Sequence, residues 1–497
     1  MRRQSSVLRY YSGSRLPAPG SRLPIHVSLL TANVPIPSAL FLIAVLVPVT
    51  VQGQNDANRQ LEREILAELI NINTSDSAGH TREAAEAMAR RLINAGFPAA
   101  DVQVLGATPR YQNLVARYRG SGRGGRPILL MAHLDVVDAR REDWSFDPYS
   151  FREMEGYYYG RGTSDNKAGC AMLVANFIRL KREGFVPDRD LIVVLTADEE
   201  TSSDAIQWLV TQRRDLVDAD FALNTDGGGG ELRDGKAIAF GVQTAEKVYQ
   251  SFQLEVRNKG GHSSVPEPDN AIYRLSAGLA RLAQHEFPVR LNETTRALFQ
   301  QAAAVNPSAM AADMRAVART SDSAAARRLS VVPYYNSIMR TTCVATRLMA
   351  GHADNALPQL ATALVNCRML PDDPWDRVQA ELVRVLADTA IKVSRAAEST
   401  PSPASPLRPD VMRPVEKLVE QMWPGAVVIP EMSTGATDGL YVRNAGIPVY
   451  GVSAIFERID DIRAHGRDER VGVKAFHDAA EFWYRIVKVL ASGNART

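Results

Sequence analysis

The sequence predicts an α/β protein whose principal domain is discontinuous, with a mostly parallel sheet flanked by helices and a second, α+β domain inserted into it. Three observations predict this. Short apolar runs alternate with helical patterns as far as about residue 246, the character of the chain changes from about residue 248, and the alternation returns after a proline- and serine-rich stretch at 398–409.

Taken in order, residues 58–72 and 82–95 carry apolar positions at helical spacing, so both are expected as helices. Residues 127–132 (PILLMA) read as a buried strand running into His133. A helix is expected over 167–183, then a strand at 191–196 (LIVVLT) running into Asp198, and another at 221–224 running into Asp226. Residues 249–258 alternate like a half-exposed strand, 270–285 read as a helix, and 292–330 are alanine-rich and helical. Strand-like runs follow at 340–348 and 359–369. After the linker come a helix at 411–422, strands at 426–429 and 448–452, and a last helix from Lys474. The expected division is 1–53, 54–246, 247–371 for the insert, and 372–497 for the second part of the principal domain. No internal repeat is present.

The 497 residues exceed what one hydrophobic core usually organises. Hydrophobic residues at 45% and charged residues at 23% are ordinary for a soluble globular chain. The net charge of +2 owes its sign to Arg2, Arg3, Arg9, Arg15 and Arg22, which stand in a stretch without acids. Nothing in this balance marks a nucleic-acid partner. Residues 39–51 (ALFLIAVLVPVTV) form an apolar run too short to span a bilayer, ending at the small-residue site Val51-Gln52-Gly53. That suits the core of a signal peptide, so export to the periplasm or medium is expected, with retention as a membrane anchor the alternative. Cys170, Cys343 and Cys367 show no CxxC spacing. For Cys343 and Cys367 the expectation is two small buried hydrophobes; a disulfide is the alternative if their strands are neighbours.

Five segments carry the chemistry: Met131-Ala132-His133-Leu134-Asp135, Gly160-Arg161-Gly162-Thr163-Ser164-Asp165, Asp198-Glu199-Glu200, Asn224-Thr225-Asp226-Gly227 and Ala464-His465-Gly466. In an α/β sheet, ligands bind beyond the carboxyl ends of strands, where most of these groups fall. A carboxylate two residues after His133 can accept the second ring N–H of that histidine. Asp165 follows a glycine-rich turn, where it can bridge two cations or cap a helix. Three successive carboxylates repel unless a cation neutralises them. Adjacent side chains cannot serve one metal alike, so one is expected as a ligand and its neighbour as a base. Two histidines, one bridging carboxylate and two terminal carboxylates amount to two metals with three protein ligands each. Nitrogen and oxygen donors without sulfur fit zinc, with manganese or cobalt possible.

From about residue 58 to the end, these segments resemble the dinuclear zinc amidohydrolases that include succinyl-diaminopimelate desuccinylase, glutamate carboxypeptidase, aminoacylase, peptidase T and carboxypeptidase S. Ala245-Glu246-Lys247, the helical insert and Val365-Asn366-Cys367-Arg368 are most similar to the carboxypeptidase S branch, although that branch usually has Glu-Gly where this chain has Asp226-Gly227. The resemblance implies a catalytic domain and an inserted lid and dimerisation domain. It implies two Zn2+ per subunit (Co2+ or Mn2+ possible), with His133 and Asp226 on one, Glu200 and His465 on the other, and Asp165 between them. Glu199 resembles the general base that activates the attacking water, and Asp135 the carboxylate that orients His133. His262, in Gly260-Gly261-His262-Ser263-Ser264, resembles a lid histidine that polarises the scissile carbonyl, often in a partner subunit, so a homodimer is implied. Asn355 and Arg368 resemble groups that grip a substrate carboxylate, and Gly435 lies in a substrate-side loop. The expected activity is hydrolysis of an amide next to a free carboxylate by a carboxypeptidase or dipeptidase. An aminoacylase acting on N-acyl amino acids is the alternative, and a non-catalytic binding protein the third reading.

Overall fold

The computed structural model describes the backbone of residues 41–492 and the side chains of residues 54–492. The expected targeting segment, residues 1–53, lies outside the residues whose side chains are described. Among the described residues no helix is long and apolar enough to cross a membrane. Residues Asp56–Thr497 form one compact unit.

A ten-stranded sheet organises this unit. Its order is Val102–Leu105, Asn113–Tyr118, Leu191–Thr196, Ile128–His133, Phe221–Asn224, Val449–Gly451, Lys236–Glu246, Gly229–Arg233 and Phe456–Arg458, with Val427–Ser433 also paired to Lys236–Glu246. The central strands run parallel, and every residue of Ile128–His133, Leu191–Thr196 and Phe221–Asn224 is buried. Burial on both faces explains why these strands read as continuous apolar runs rather than alternating ones. Their register sets the site. His133 pairs with Thr196, Met131 with Asn224, and Asn224 with Gly451, so the chain leaves three neighbouring strands at one edge of the sheet.

Helix Lys167–Arg182 is buried along almost its whole length between this sheet and the C-terminal helix Val473–Ala491. A small three-stranded sheet joins Arg470–Gly472, Tyr157–Tyr159 and Arg152–Met154. It brings the chain after His465 beside the chain that leads to Asp165.

A separate antiparallel sheet has the order Thr342–Ala350, Leu360–Met369, Val248–Arg257 and Lys392–Arg395. Its inner face packs on helices Ala271–Ala283 and Trp375–Leu386. Two details differ from the sequence expectation. Lys392–Arg395 and Trp375–Leu386 follow the expected boundary at 371, yet both build the small sheet's layer. The alanine-rich insert forms separate helices, and Leu298, Phe299, Met314 and Leu329 pack against Ala239, Ala245, Ile429 and Met432 of the large sheet. Pairing and burial across the chain, not position along it, decide both placements.

The cysteine expectation is also corrected. Cys343 and Cys367 stand directly opposite one another on adjacent strands and form a disulfide. Only strand register could reveal this, since 24 residues separate them in sequence.

Candidate metal centre

The bridging geometry sits on Asp165. Its Oδ1 lies 2.9 Å from His133 Nε2, and its Oδ2 lies 3.1 Å from His465 Nε2. His465 Nε2 also lies 2.9 Å from Glu200 Oε1. Around this carboxylate the side chains form two trios with ligand atoms mutually within 4.8 Å: His133, Asp165 and Asp226, and Asp165, Glu200 and His465. Glu199 stands with His133 and Glu200 in a third such group.

Each side chain is placed by its element. His133 ends its strand, and its Nδ1 faces the main-chain carbonyl of Asp135 at 3.0 Å, with the Asp135 carboxylate farther off at 3.6 Å. The expected carboxylate clamp is therefore a carbonyl clamp. The Asp135 oxygens instead accept the main-chain N–H groups of Glu199 at 3.1 Å and Glu200 at 2.9 Å, which fixes the backbone of both acids. Asp198 turns away: it accepts from Ser202 Oγ, Asp204 N and Ala205 N at 2.7–3.0 Å and so caps helix Asp204–Gln212. The acidic triplet is thus one structural cap followed by two groups at the site.

Asp226 leaves its strand into the glycine run. Gly228 has φ +66°, and a Cβ there would stand 2.4 Å from the Gly241 carbonyl oxygen. A side chain is excluded at that turn. On the other wall Thr225 donates to Asn166 Oδ1 at 2.6 Å, tying the strand that ends near Asp226 to the loop that carries Asp165.

The electrostatics describe acids crowded around too little positive charge. Burial, then the neighbouring Asp165, pushes Asp226 well above the ordinary carboxylate range; burial, then Asp226, does the same to Glu199. Burial also raises Asp438 to about 7, against the pull of Thr196. Burial works against charge on Asp165, but its hydrogen bonds to His133 and His465 outweigh this and lower it. Hydrogen bonds to Asp165 and Glu200 raise His465 to about 10. Divalent cations held among these groups would relieve the repulsion. Oxygen and imidazole donors suit zinc, manganese or cobalt. The one nearby thiol, Cys170, is buried behind the strand, where its Sγ donates to the His133 carbonyl.

The remaining sequence-predicted residues form two further groups. His262 and Asn355 are both exposed at a two-stranded ladder of Gly261–His262 and Ala356–Leu357, beside which Ser263 N donates to the Asn355 carbonyl at 3.0 Å. No hydrogen bond joins this pair to the metal-site side chains. Arg368 donates to the Thr434 carbonyl at 3.2 Å, beside Gly435, and its guanidinium lies 4.8 Å over the Tyr249 ring. Burial lowers its pKa, and among the described residues no carboxylate pairs with it.

Sequence reasoning passed over three contributors: the main-chain clamp by Asp135, the buried acid Asp438, and Glu469, four residues after His465. Nothing local sets Glu469 apart from Asp468 before it in Arg467-Asp468-Glu469-Arg470, and its partners lie 304–308 residues away.

A 300 Å3 cavity opens beside Asp165 and Asp226, lined by the glycine run, by Glu231, Glu431 and Glu457, and by Ile455, Ile459 and Ile462.

Comparison with known proteins agrees with this chemistry. The chain is 29% identical over 382 residues to the human N-fatty-acyl-amino acid synthase/hydrolase PM20D1, covering 74% of this chain and 75% of that one. It is 28% identical over 400 residues to the probable carboxypeptidase S-like 2 of Dictyostelium discoideum, covering 76% and 74%. The fold matches that of the M20 family metallo-carboxypeptidase Sso-CP2 from Sulfolobus solfataricus, with a TM-score of 0.64, 17% identity, and coverage of 86% and 99%. Residues 129–489 match the description Peptidase family M20/M25/M40, and the chain belongs to that family of metal-dependent hydrolases.

Proposed function

We propose that this protein is a dinuclear zinc exopeptidase that hydrolyses the amide bond next to a free carboxylate in small peptides. The observation that carries the reading is Asp165, whose two oxygens each face a different histidine. His133 and Asp226 would hold one cation, Glu200 and His465 the other, and Asp165 both. Bound there, two dications supply Lewis acidity to a water and to the scissile carbonyl.

The chain's own groups do the rest. Glu199, with its backbone held by Asp135, takes the proton from the attacking water and returns one to the leaving nitrogen. His262 donates a hydrogen bond to the carbonyl oxygen as negative charge develops there. Arg368, buried enough to feel the loss of water and without an acidic partner among the described residues, receives the substrate carboxylate, with Asn355 assisting.

A second reading, hydrolysis of N-acyl amino acids, is favoured by the apolar side of the cavity. Ile459 and Ile462 are 66% and 62% exposed at its rim, and an acyl chain would cover them. The acids Glu231, Glu431 and Glu457 on the same wall favour a peptide amine instead. Turnover of the metal-loaded protein on a dipeptide panel and an N-acyl amino acid panel separates the two. Dominant cleavage of the acyl panel would overturn the peptide reading, and cleavage of neither would overturn both.

Two features support the setting. The Cys343–Cys367 disulfide suits an oxidising, exported location. The edge strand Thr342–Ala350 exposes Val344, Leu348 and Met349, a surface a second subunit could cover, which supports a homodimer that delivers His262 to the site.

A further inference from the structure

Glu469 is fully buried, and nothing in the proposed reaction uses it. Its carboxylate is nonetheless saturated with donors from one loop. Oε1 accepts the main-chain N–H groups of Gly162 at 3.2 Å, Ser164 at 2.8 Å and Asp165 at 3.1 Å, while Oε2 accepts Arg161 Nη1 at 2.6 Å. Its own carbonyl accepts the N–H of Gly160 at 3.1 Å. The next residues, Arg470–Gly472, pair with Tyr157–Tyr159.

The loop wrapped around Glu469 is the one that presents Asp165, and the segment that supplies Glu469 begins with His465. Nothing covalent joins the two loops. A carboxylate that must turn one oxygen to His133 and the other to His465 needs its own backbone held, because a swing of the loop would move both oxygens together. Gly162, at φ +95° and with space for a Cβ only 2.9 Å from the Lys167 side chain, lets the loop fold tightly enough for its N–H groups to converge.

From the convergence of these donors we propose that Glu469 is a positioning residue, pinning the Asp165 loop to the His465 loop so that one carboxylate spans both metal sites. The proposal rests on the metal reading of the site. A neutral amide at 469 would offer one acceptor and would turn an N–H toward other N–H groups.

The test uses the full chain loaded with Co2+, comparing wild type with Glu469→Gln by equilibrium dialysis and by the visible absorption of bound cobalt. Expected are two Co2+ per wild-type chain, a loss of affinity of about 10- to 100-fold in the variant, and an altered cobalt spectrum, with the circular dichroism of the metal-free protein unchanged. A purely structural role would lower the melting temperature and leave the cobalt spectrum of the folded fraction as in wild type. If Glu469→Gln does not fold, Glu469→Asp, which keeps the charge but draws it back by one methylene, is read in the same way. Two cobalt ions bound with wild-type affinity and spectrum in a folded variant would overturn the role of Glu469. A wild-type chain that binds no cobalt would overturn the metal reading itself.

Discussion

The main-chain N–H of Ser264 donates to Nδ1 of His262 across 3.1 Å, and the Ser264 hydroxyl lies 2.7 Å from the same nitrogen. A nitrogen that accepts an N–H carries no proton of its own, so the ring proton sits on Nε2. His262 is thereby left with Nε2 free to donate. We expect His262→Ala to lower kcat by about 10²–10³-fold while metal content and fold stay intact. Steady-state kinetics with metal analysis checks this; wild-type turnover in the variant would remove His262 from the mechanism.

Glu199 is expected to move protons without binding metal tightly. Its backbone is tied to Asp135, and neither trio centred on Asp165 needs it. Glu199→Gln should keep two metals and lose about 10²–10⁴-fold in kcat. Loss of metal alongside activity would reassign it as a ligand.

Arg443 and Glu246 form an ion pair at 2.7 Å with side chains 2% and 1% exposed. Glu246 also accepts from Gln243 at 2.8 Å and from Thr437 at 2.6 Å, and so anchors the loop that contains Asp438. Arg443→Met leaves that carboxylate buried without its counter-charge and is expected to cost about 3–5 kcal/mol of stability. Urea denaturation measures it, and the double variant Arg443→Met/Glu246→Gln should recover part of the loss. A single-variant cost near zero would contradict a buried ionic pair.

Lys247 is buried where the chain passes from the large sheet to the small one, and donates to the carbonyls of Ser337 at 2.6 Å and Arg340 at 2.8 Å. Burial lowers its pKa from 10.5 to about 7. Between pH 7 and 10.5 the unfolded chain therefore holds a proton that the folded chain has released, so this group's contribution to stability rises with pH over that window. Below pH 7 both states are charged and the contribution is flat. Melting temperatures of wild type and Lys247→Met, compared from pH 7 to 10, should shift in favour of wild type as pH rises. A constant difference would mean that Lys247 stays charged when folded.

Much of the site was legible because His133, Glu199, Glu200 and Asp226 stand at or just after the ends of buried strands. Apolar runs at 127–132, 191–196 and 221–224 announce parallel strands, and parallel strands leave their carboxyl ends on one edge. The roles within each segment were less legible. Asp198, Glu199 and Glu200 are indistinguishable as a run of acids. Which one caps a helix depends on where the next helix starts, and which two face the site depends on the amides that Asp135 captures.

What the sequence by itself determined is the set of donor types and the place of most of them at strand ends, because hydrophobic periodicity and local turn chemistry act over a few residues. Only the tertiary structure decided that Asp165 faces both histidines, that Glu469 holds its loop, that Cys343 meets Cys367, and that the alanine-rich helices pack on the large sheet. Those facts come from strand register and from hydrogen bonds between residues up to 308 positions apart, where satisfaction of buried polar groups, rather than neighbouring sequence, selects the partner.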